Sequence, residues 1–230
     1  MTASERTAAQ AKADNIAKMG AEIGTVYSAL WQEVAGIHKK WAQYVELFGT
    51  SPARIDLLNQ AAPSMFRTVQ DTLWEDVLLH LARLTDPPKS SGRANLSLRH
   101  LAALVAGSPI GSNVESLANA ALVACGFARD WRNRKLAHHD LGLAVGEGVQ
   151  PLAPASRASV KVALVALTEV LNSVSSHYCD STTKFDRGPG SEDAASLLYL
   201  LRDGLQSHAD RRARIRRGEY QPSDLKHEPL

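Results

Sequence analysis

The sequence is poor in cysteine and in long apolar runs. Its two cysteines, Cys125 and Cys179, lie far apart, with no C-x-x-C pair and no accompanying histidine at zinc-ligand spacing. A disulfide framework and a structural zinc site are therefore not expected. The longest apolar stretch, residues 160–171, is broken by Lys161 and Glu169, well short of the ~20 apolar residues that a membrane span needs. The N-terminus lacks the apolar core of a signal peptide, so we expect a cytoplasmic protein with no membrane segment.

An excess of one charge is also lacking. The 230 residues carry 26 Lys and Arg against 24 Asp and Glu, a formal charge of +2, which excludes a histone-like binder and an acidic disordered chain. The distribution is uneven, because five arginines stand together near the C-terminus: Arg211, Arg212, Arg214, Arg216 and Arg217. Two interpretations remain open for this arginine cluster, a solvated helix end or an arm that binds RNA phosphates. We predict one domain over residues 1–206 and a basic tail over 207–230.

What the sequence does have is helical periodicity. Alanine and leucine are frequent and strand-like alternation is rare, so helices should dominate. Between Thr7 and Phe48 the apolar residues recur at steps of three, four and seven, which predicts one long helix with a single apolar face. The same criterion predicts further helices over residues 65–84, 96–106, 155–178 and 192–205. The predicted fold class is all-α, an up-and-down helical bundle, with a loop over residues 141–154.

One dense polar segment stands out from this background, residues 130–140, with the sequence DWRNRKLAHHD. No P-loop, dinucleotide-binding, nucleophile-elbow or H-E-x-x-H motif accompanies it. A basic helix end complements the helix dipole and needs no function. Alternatively, a neutral imidazole can take the proton of a ribose 2′-hydroxyl, and a guanidinium can hold the non-bridging phosphate oxygens. On an unbroken α-helix, Arg132 and His138 point about 120° apart, so they converge only where the helix ends or kinks, or where a second subunit supplies one of them.

The segment from Arg132 to Asp140 resembles the R-N-K-x-x-A-H-x-D signature of the HEPN (higher eukaryotes and prokaryotes nucleotide-binding) superfamily, particularly its abortive-infection AbiU-type group. The sequence LWEDVLLHLARLTDPP, residues 73–88, is similar to the same group. The resemblance implies an endoribonuclease that needs no metal or other cofactor and leaves a 2′,3′-cyclic phosphate. It also implies a homodimer with a composite active site, a role in phage defence or a toxin–antitoxin system, and an antitoxin protein as a further partner.

The resemblance also assigns roles to residues. Arg132 would stabilise the phosphorane, His138 would act as general base or acid, and Asn133 would orient the substrate or His138. His139 and Asp140 are second-rank catalytic candidates. Asp140 stands where another HEPN subset has a modified tyrosine, so regulation of that kind is not expected. The candidates for RNA contact are Trp131, Arg134, Lys135 and the five residues of the arginine cluster, and Glu75 and Asp76 are candidates to orient an arginine of the motif.

Two alternatives stay open. The first is a HEPN module that has lost catalysis and only binds RNA or nucleotides. The second rests on His139 to Gly142, which resembles the H-D-[IL]-G string of HD-type metal-dependent phosphohydrolases. That enzyme class needs more ligands than one His–Asp pair, and His100 with Asp180 or Asp203 would have to supply them. Removal of metal ions distinguishes an HD-type enzyme from a HEPN ribonuclease.

Overall fold

The computed structural model describes residues 6–137, 140–146, 150–187, 191–219 and 221–225. This part of the chain is all-α, as predicted, with one two-stranded hairpin. The helices are α1 (Ala8–Met19), α2 (Ala21–Phe48), α3 (Pro52–Ala61), α4 (Pro63–Leu84), α5 (Leu98–Val105), α6 (Gly111–Ala124), α7 (Gly126–Trp131), α8 (Leu141–Val145), α9 (Arg157–Cys179) and α10 (Ser191–Arg217). The hairpin consists of β1 (Lys89–Ser90) and β2 (Arg93–Ala94), which pair antiparallel.

The chain divides into two compact units, a first unit of residues 1–41 and 73–188 and a second unit of residues 42–72 and 189–230. In the first unit α9 is the central helix and packs along α6. Leu167 and Leu171 on α9 are fully buried, as is Val114 on α6. By length and composition α9 alone among the described helices would suit a membrane span, with 44% of its apolar window buried inside the protein. Its buried face belongs to the core of the first unit, which is the pattern of a core helix.

The single helix predicted from Thr7 to Phe48 is divided at Gly20. This glycine has φ +85° and ψ +162°, a conformation that residues with a Cβ rarely adopt. Thr7 caps the start of α1 by accepting a hydrogen bond from the backbone N–H of Gln10. Past the break, a Cβ added to Gly24 would lie 2.6 Å from Cα of Ile16. The two helices therefore pack backbone to backbone, and glycine is required at the contact.

Two segments predicted as loops contain short regular elements. The polar stretch after α4 forms the hairpin, whose turn residues Ser91 and Gly92 have φ values of +49° and +79°. Positive φ at both central positions is the geometry of the tight turn that suits the twist of paired strands. The predicted loop over residues 141–154 begins with α8, which Asp140 caps by accepting a hydrogen bond from the Leu143 N–H.

The second unit has a small apolar core of its own, which consists of Leu47, Leu58, Ala194 and Leu198. Helix α10 continues beyond residue 205, where the sequence predicts its end, and runs through the arginines to Arg217. A short 3₁₀ turn follows at Pro222–Leu225. The arginine cluster is therefore helical over its whole length.

Candidate functional site

The polar segment singled out in the sequence coincides with an irregular helix. After α7 the chain makes a π-helical turn over Arg132–Leu136, in which the Ala137 N–H donates to the Arg132 carbonyl oxygen, five residues earlier, at 2.8 Å. Single π-turns inside helices are frequent at functional sites. The helix is thus distorted at Arg132 and ends before residue 138, which is the condition that the sequence set for Arg132 and His138 to converge. Both His138 and His139 lie outside the described residues.

Arg132 is held by a carboxylate from the end of α4. Its Nη1 lies 2.7 Å from Oδ1 and 2.9 Å from Oδ2 of Asp86, and its Nε donates to Oδ1 of Asn133 at 3.0 Å. The side chains of Arg132 and Asp86 retain 20% and 22% of their exposure. Charge-assisted hydrogen bonds to both oxygens of one carboxylate fix the guanidinium in direction as well as position. Asn133, exposed beside it, contacts the arginine itself.

A second arginine shares this carboxylate. Nη1 of Arg129 donates to Oδ1 of Asp86 at 2.9 Å. Its Nη2 reaches the last turn of α4, at 2.9 Å from the Thr85 carbonyl oxygen, 3.0 Å from Thr85 Oγ1 and 3.3 Å from the Ala82 carbonyl oxygen. Carbonyl groups at the C-terminus of a helix lack the usual α-helical partner. Arg129 therefore caps α4 and binds Asp86 with the same guanidinium.

Asp86 and Arg129 were not among the predicted site residues. A signal for Asp86 is visible in the sequence, because a carboxylate directly after the last turn of a helix has the wrong sign for the helix dipole. Such a residue calls for a cationic partner, and here two arginines supply it. The sequence pointed to Glu75 and Asp76 instead. Asp76 pairs with Lys40 at 2.7 Å, and Glu75 contacts the motif through Lys135, at 3.6 Å.

Trp131 and Lys135, predicted to contact RNA, interact with each other. Nε1 of Trp131 donates to the Ala153 carbonyl oxygen at 2.9 Å, and the ring packs against the core of the first unit. Nζ of Lys135 lies 4.9 Å from the centroid of that ring, within cation–π range. The ring is thus fixed at its edge and has a cation over one face. Base stacking on Trp131 stays a prediction.

Arg134 fastens the segment before α9 to the motif. Its guanidinium donates to the carbonyl oxygens of Gln150 and Pro151 and lies 3.4 Å from Oδ1 of Asp130. The other carboxylate oxygen of Asp130 accepts from the Ala153 N–H at 2.8 Å. These contacts explain an arginine at this position without RNA, and phosphate binding by Arg134 also stays a prediction.

The motif and its carboxylate both fall within a match to a known family. The sequence profile of the HEPN family AbiU2 matches residues 20–198, which is most of the chain and includes Asp86, Arg129 and Arg132. The chain belongs to the AbiU2 family of HEPN proteins. No curated protein and no solved structure matches it significantly. AbiU2 membership accounts for the all-α fold and connects the chain with abortive infection.

The HD-type alternative needs a cluster of metal-ligating side chains. Within the described ranges, no three His, Cys, Asp or Glu side chains come together as a set that could hold a metal ion. Asp140, whose partner His139 lies outside those ranges, accepts a hydrogen bond from the Leu143 N–H at 3.1 Å and so caps α8. That capping contact gives Asp140 a local role that needs no metal.

The arginine cluster lies beyond the AbiU2 match, in the second unit. Two of its members are paired: Arg214 with Asp224 at 2.7 Å and Arg217 with Glu219 at 2.9 Å. Arg212 and Arg216 are exposed, and they make no ion pair with any described residue. Being four positions apart, they lie on the same side of α10. Phosphate binding by the arginine cluster stays a prediction.

Proposed function

We propose that this chain is a metal-independent endoribonuclease that cleaves RNA through attack of a ribose 2′-hydroxyl, in phage defence or a toxin–antitoxin system. The observation that carries the proposal is the guanidinium of Arg132, fixed by Asp86 at a π-turn inside the AbiU2 match. A cation held in one direction is the feature that stabilisation of a developing phosphorane requires.

The proposed chemistry divides the work between two side chains of the motif. His138 takes the 2′-hydroxyl proton as the oxygen attacks phosphorus, and the protonated imidazole then gives a proton to the departing 5′-oxygen. The products are a 2′,3′-cyclic phosphate and a free 5′-hydroxyl. The reaction therefore consumes no water, and the proposed step uses no metal ion. Arg132 binds the non-bridging oxygens as charge grows on them. Asn133 is proposed to orient substrate or histidine, and His139 is the substitute should His138 not act.

The proposed setting follows the family. We propose a homodimer in the cytoplasm, in which the motifs of two subunits meet at one cleft, since isologous contacts join identical surfaces. Trp131, Arg134 and Lys135 are the proposed RNA contacts beside the motif, and the arginine cluster is proposed separately to bind RNA phosphates. An antitoxin protein is the further partner that a toxin of this kind would need. Light scattering at several protein concentrations tests the dimer independently of any activity.

The experiment that tests the function is incubation of total bacterial RNA with the purified full chain in the presence of EDTA. Arg132→Ala and His138→Ala are compared with wild type, and mass spectrometry identifies the product ends. We expect EDTA-resistant cleavage with 2′,3′-cyclic phosphate ends. Arg132→Ala should lower the rate roughly 10²- to 10³-fold, as for the loss of a charge stabiliser, and His138→Ala roughly 10²- to 10⁴-fold, as for the loss of a general acid–base group. Arg93→Ala and His208→Ala, at exposed positions, are the matched controls.

Three results would contradict the proposal, each in a different way. Equal rates in wild type and both site variants would show that Arg132 and His138 do not form the active site. Loss of cleavage with EDTA would favour the HD-type phosphohydrolase. Binding of RNA with no cleavage by wild type would leave the chain as a HEPN binding module without catalysis.

A further inference from the structure

One edge of the Arg132 guanidinium is occupied and the other is open. Nη1 donates to the two oxygens of Asp86, and Nε donates to Oδ1 of Asn133. No described residue accepts a hydrogen bond from Nη2, which carries two of the five N–H groups of an arginine. Nη2 is also not buried, because in the described part of the chain Nδ1 of His80 is the only buried side-chain nitrogen or oxygen without a partner. Within the described part of the chain, Arg132 therefore has two N–H groups on Nη2 without an acceptor, and it holds them in a fixed position.

The charge of this cluster is decided by Arg129. A single arginine paired with a single aspartate is neutral and attracts a phosphate weakly. Because Arg129 and Arg132 share the one carboxylate of Asp86, at 2.9 Å and 2.7 Å, the three side chains together carry a charge of +1. Arg129 is itself anchored by the carbonyl oxygen and hydroxyl of Thr85. The cluster is thus rigid and still cationic.

We propose that Asp86 and Arg129 are positioning residues, which aim Nη2 of Arg132 at a non-bridging oxygen of the scissile phosphate and keep the cluster cationic. This inference rests on the proposed ribonuclease function. Neither residue touches the substrate in this arrangement. Asp86 sets the direction of the Arg132 guanidinium, and Arg129 offsets the negative charge that Asp86 brings.

The two residues should act on the kinetics in opposite ways. Asp86→Asn removes the negative charge, which raises the cluster to +2, but it weakens the hold on Arg132. We expect kcat to fall about ten- to a hundredfold, as for a misplaced catalytic group, while KM for RNA stays equal or falls. Arg129→Gln lowers the cluster to zero, so KM should rise. A general loss of structure would not raise KM for RNA in Arg129→Gln while leaving it equal or lower in Asp86→Asn.

A double-variant cycle tests whether Asp86 acts through Arg132. Single-turnover cleavage of RNA in EDTA is measured for wild type, Asp86→Asn, Arg132→Ala and the double variant. Once Arg132 is absent, Asp86→Asn should cost nothing further in rate, since residues that act as one unit are not additive. Asp71→Asn, an exposed carboxylate on α4, the helix that precedes Asp86, is the control for a simple change in charge, and circular dichroism checks folding.

The outcomes separate the two proposals. An active wild type whose rate Arg132→Ala leaves unchanged, or a wild type without cleavage, overturns the ribonuclease function and this inference with it. Where Arg132→Ala is impaired, the inference alone is overturned by a wild-type kcat in Asp86→Asn, by a faster Asp86→Asn variant, or by a further decrease in rate in the double variant. A faster variant would mean that Asp86 restrains Arg132 from its substrate.

Discussion

Arg214 and Asp224 form a two-point ion pair in the second unit. Nη2 of the arginine lies 2.7 Å from Oδ1 and Nε lies 3.3 Å from Oδ2, and the same carboxylate accepts from the Gln221 N–H at 3.0 Å. The hydrogen bonds from Arg214 and from this backbone group lower the pKa of Asp224. The pair fastens the residues after α10 to its last turns. An arginine so engaged is poorly suited to bind RNA, so we expect any phosphate contact of the cluster to be made by its exposed neighbours.

If the arginine cluster binds RNA, Arg212 and Arg216 should carry the effect. We expect the double variant Arg212→Gln/Arg216→Gln to bind single-stranded RNA less tightly and with a shallower dependence on salt. The slope of log K against log salt should shrink by about 0.7 for each phosphate that the variant no longer neutralises. Fluorescence anisotropy with a labelled RNA at several KCl concentrations measures it. Arg202→Gln, on the same helix beside Asp203, is the matched control. An unaltered slope would reduce the cluster to a solvated helix end.

The fold was predictable from the sequence because its signals are local and repeated. Apolar spacing located α4 and α9 to within a few residues. Helices α3 and α4 both begin at a proline, Pro52 and Pro63, the residue whose fixed φ suits the first helical position. What periodicity could not predict was the division at Gly20. The apolar spacing continues through that residue, whereas the break depends on a positive φ and on the close approach of two backbones.

Of the candidate site, only the residues that are consecutive in the sequence were predictable. The Arg132 motif stood out because its charges are consecutive in the chain. Its carboxylate partner is 46 positions away, and no periodicity connects the two. Glu75 and Asp76, on the helix that precedes Asp86, were the predicted acids, but Asp76 is turned toward Lys40 and Glu75 toward Lys135. Only the packing of α7 against the end of α4 decides which acid meets the arginine.

The contact between α1 and α2 should not tolerate a side chain at Gly24. A Cβ there would lie 2.6 Å from Cα of Ile16 and 2.7 Å from the carbonyl oxygen of Asn15, and backbone atoms cannot move aside as a flexible side chain does. Overpacking of this kind costs about 1–3 kcal/mol. We expect Gly24→Ala to lower the free energy of unfolding by that amount, measured by urea denaturation.

Gly36, on the same helix, is the matched control. A Cβ at Gly36 meets nothing within 4 Å, and alanine favours a helix interior by roughly 0.5–1 kcal/mol over glycine. Gly36→Ala should therefore leave stability unchanged or raise it. Equal effects of the two substitutions would show that α1 does not pack against α2 at Gly24.

Cys125 should be inert toward alkylating reagents in the folded protein. It is fully buried, and burial raises the pKa of its thiol to about 12, so almost no thiolate exists near neutral pH. We expect iodoacetamide followed by mass spectrometry to label Cys179, which is partly exposed, long before Cys125. Labelling of Cys125 should begin only in denaturant. Equal labelling of both thiols in buffer would contradict the buried position.

His80 should make the protein less stable at mildly acid pH. Its side chain is 13% exposed and lies between Asp76 and Glu33, at 3.3 Å and 3.5 Å, with Lys40 and Arg83 also nearby. Burial is the largest effect and lowers the pKa of His80, against the opposing pull of the two carboxylates. Its Nδ1 lies 3.3 Å from Oδ2 of Asp76, but the contact lacks the geometry of a hydrogen bond.

The direction of the change in stability with pH follows from the unfolded state, in which histidine titrates near pH 6.5. As the pH falls below that value, the unfolded chain takes up the proton more readily than the folded chain, so the free energy of unfolding decreases. The variant His80→Gln cannot take up this proton, and its stability should change less between about pH 7.5 and 5.5. Urea denaturation at both pH values measures the difference, with exposed His208→Gln as control. Burial also lowers the pKa of His38. The single variant His38→Gln should therefore also lose less stability than wild type between these two pH values. A stability that drops equally in wild type and in both variants would mean that neither ring is kept neutral by burial.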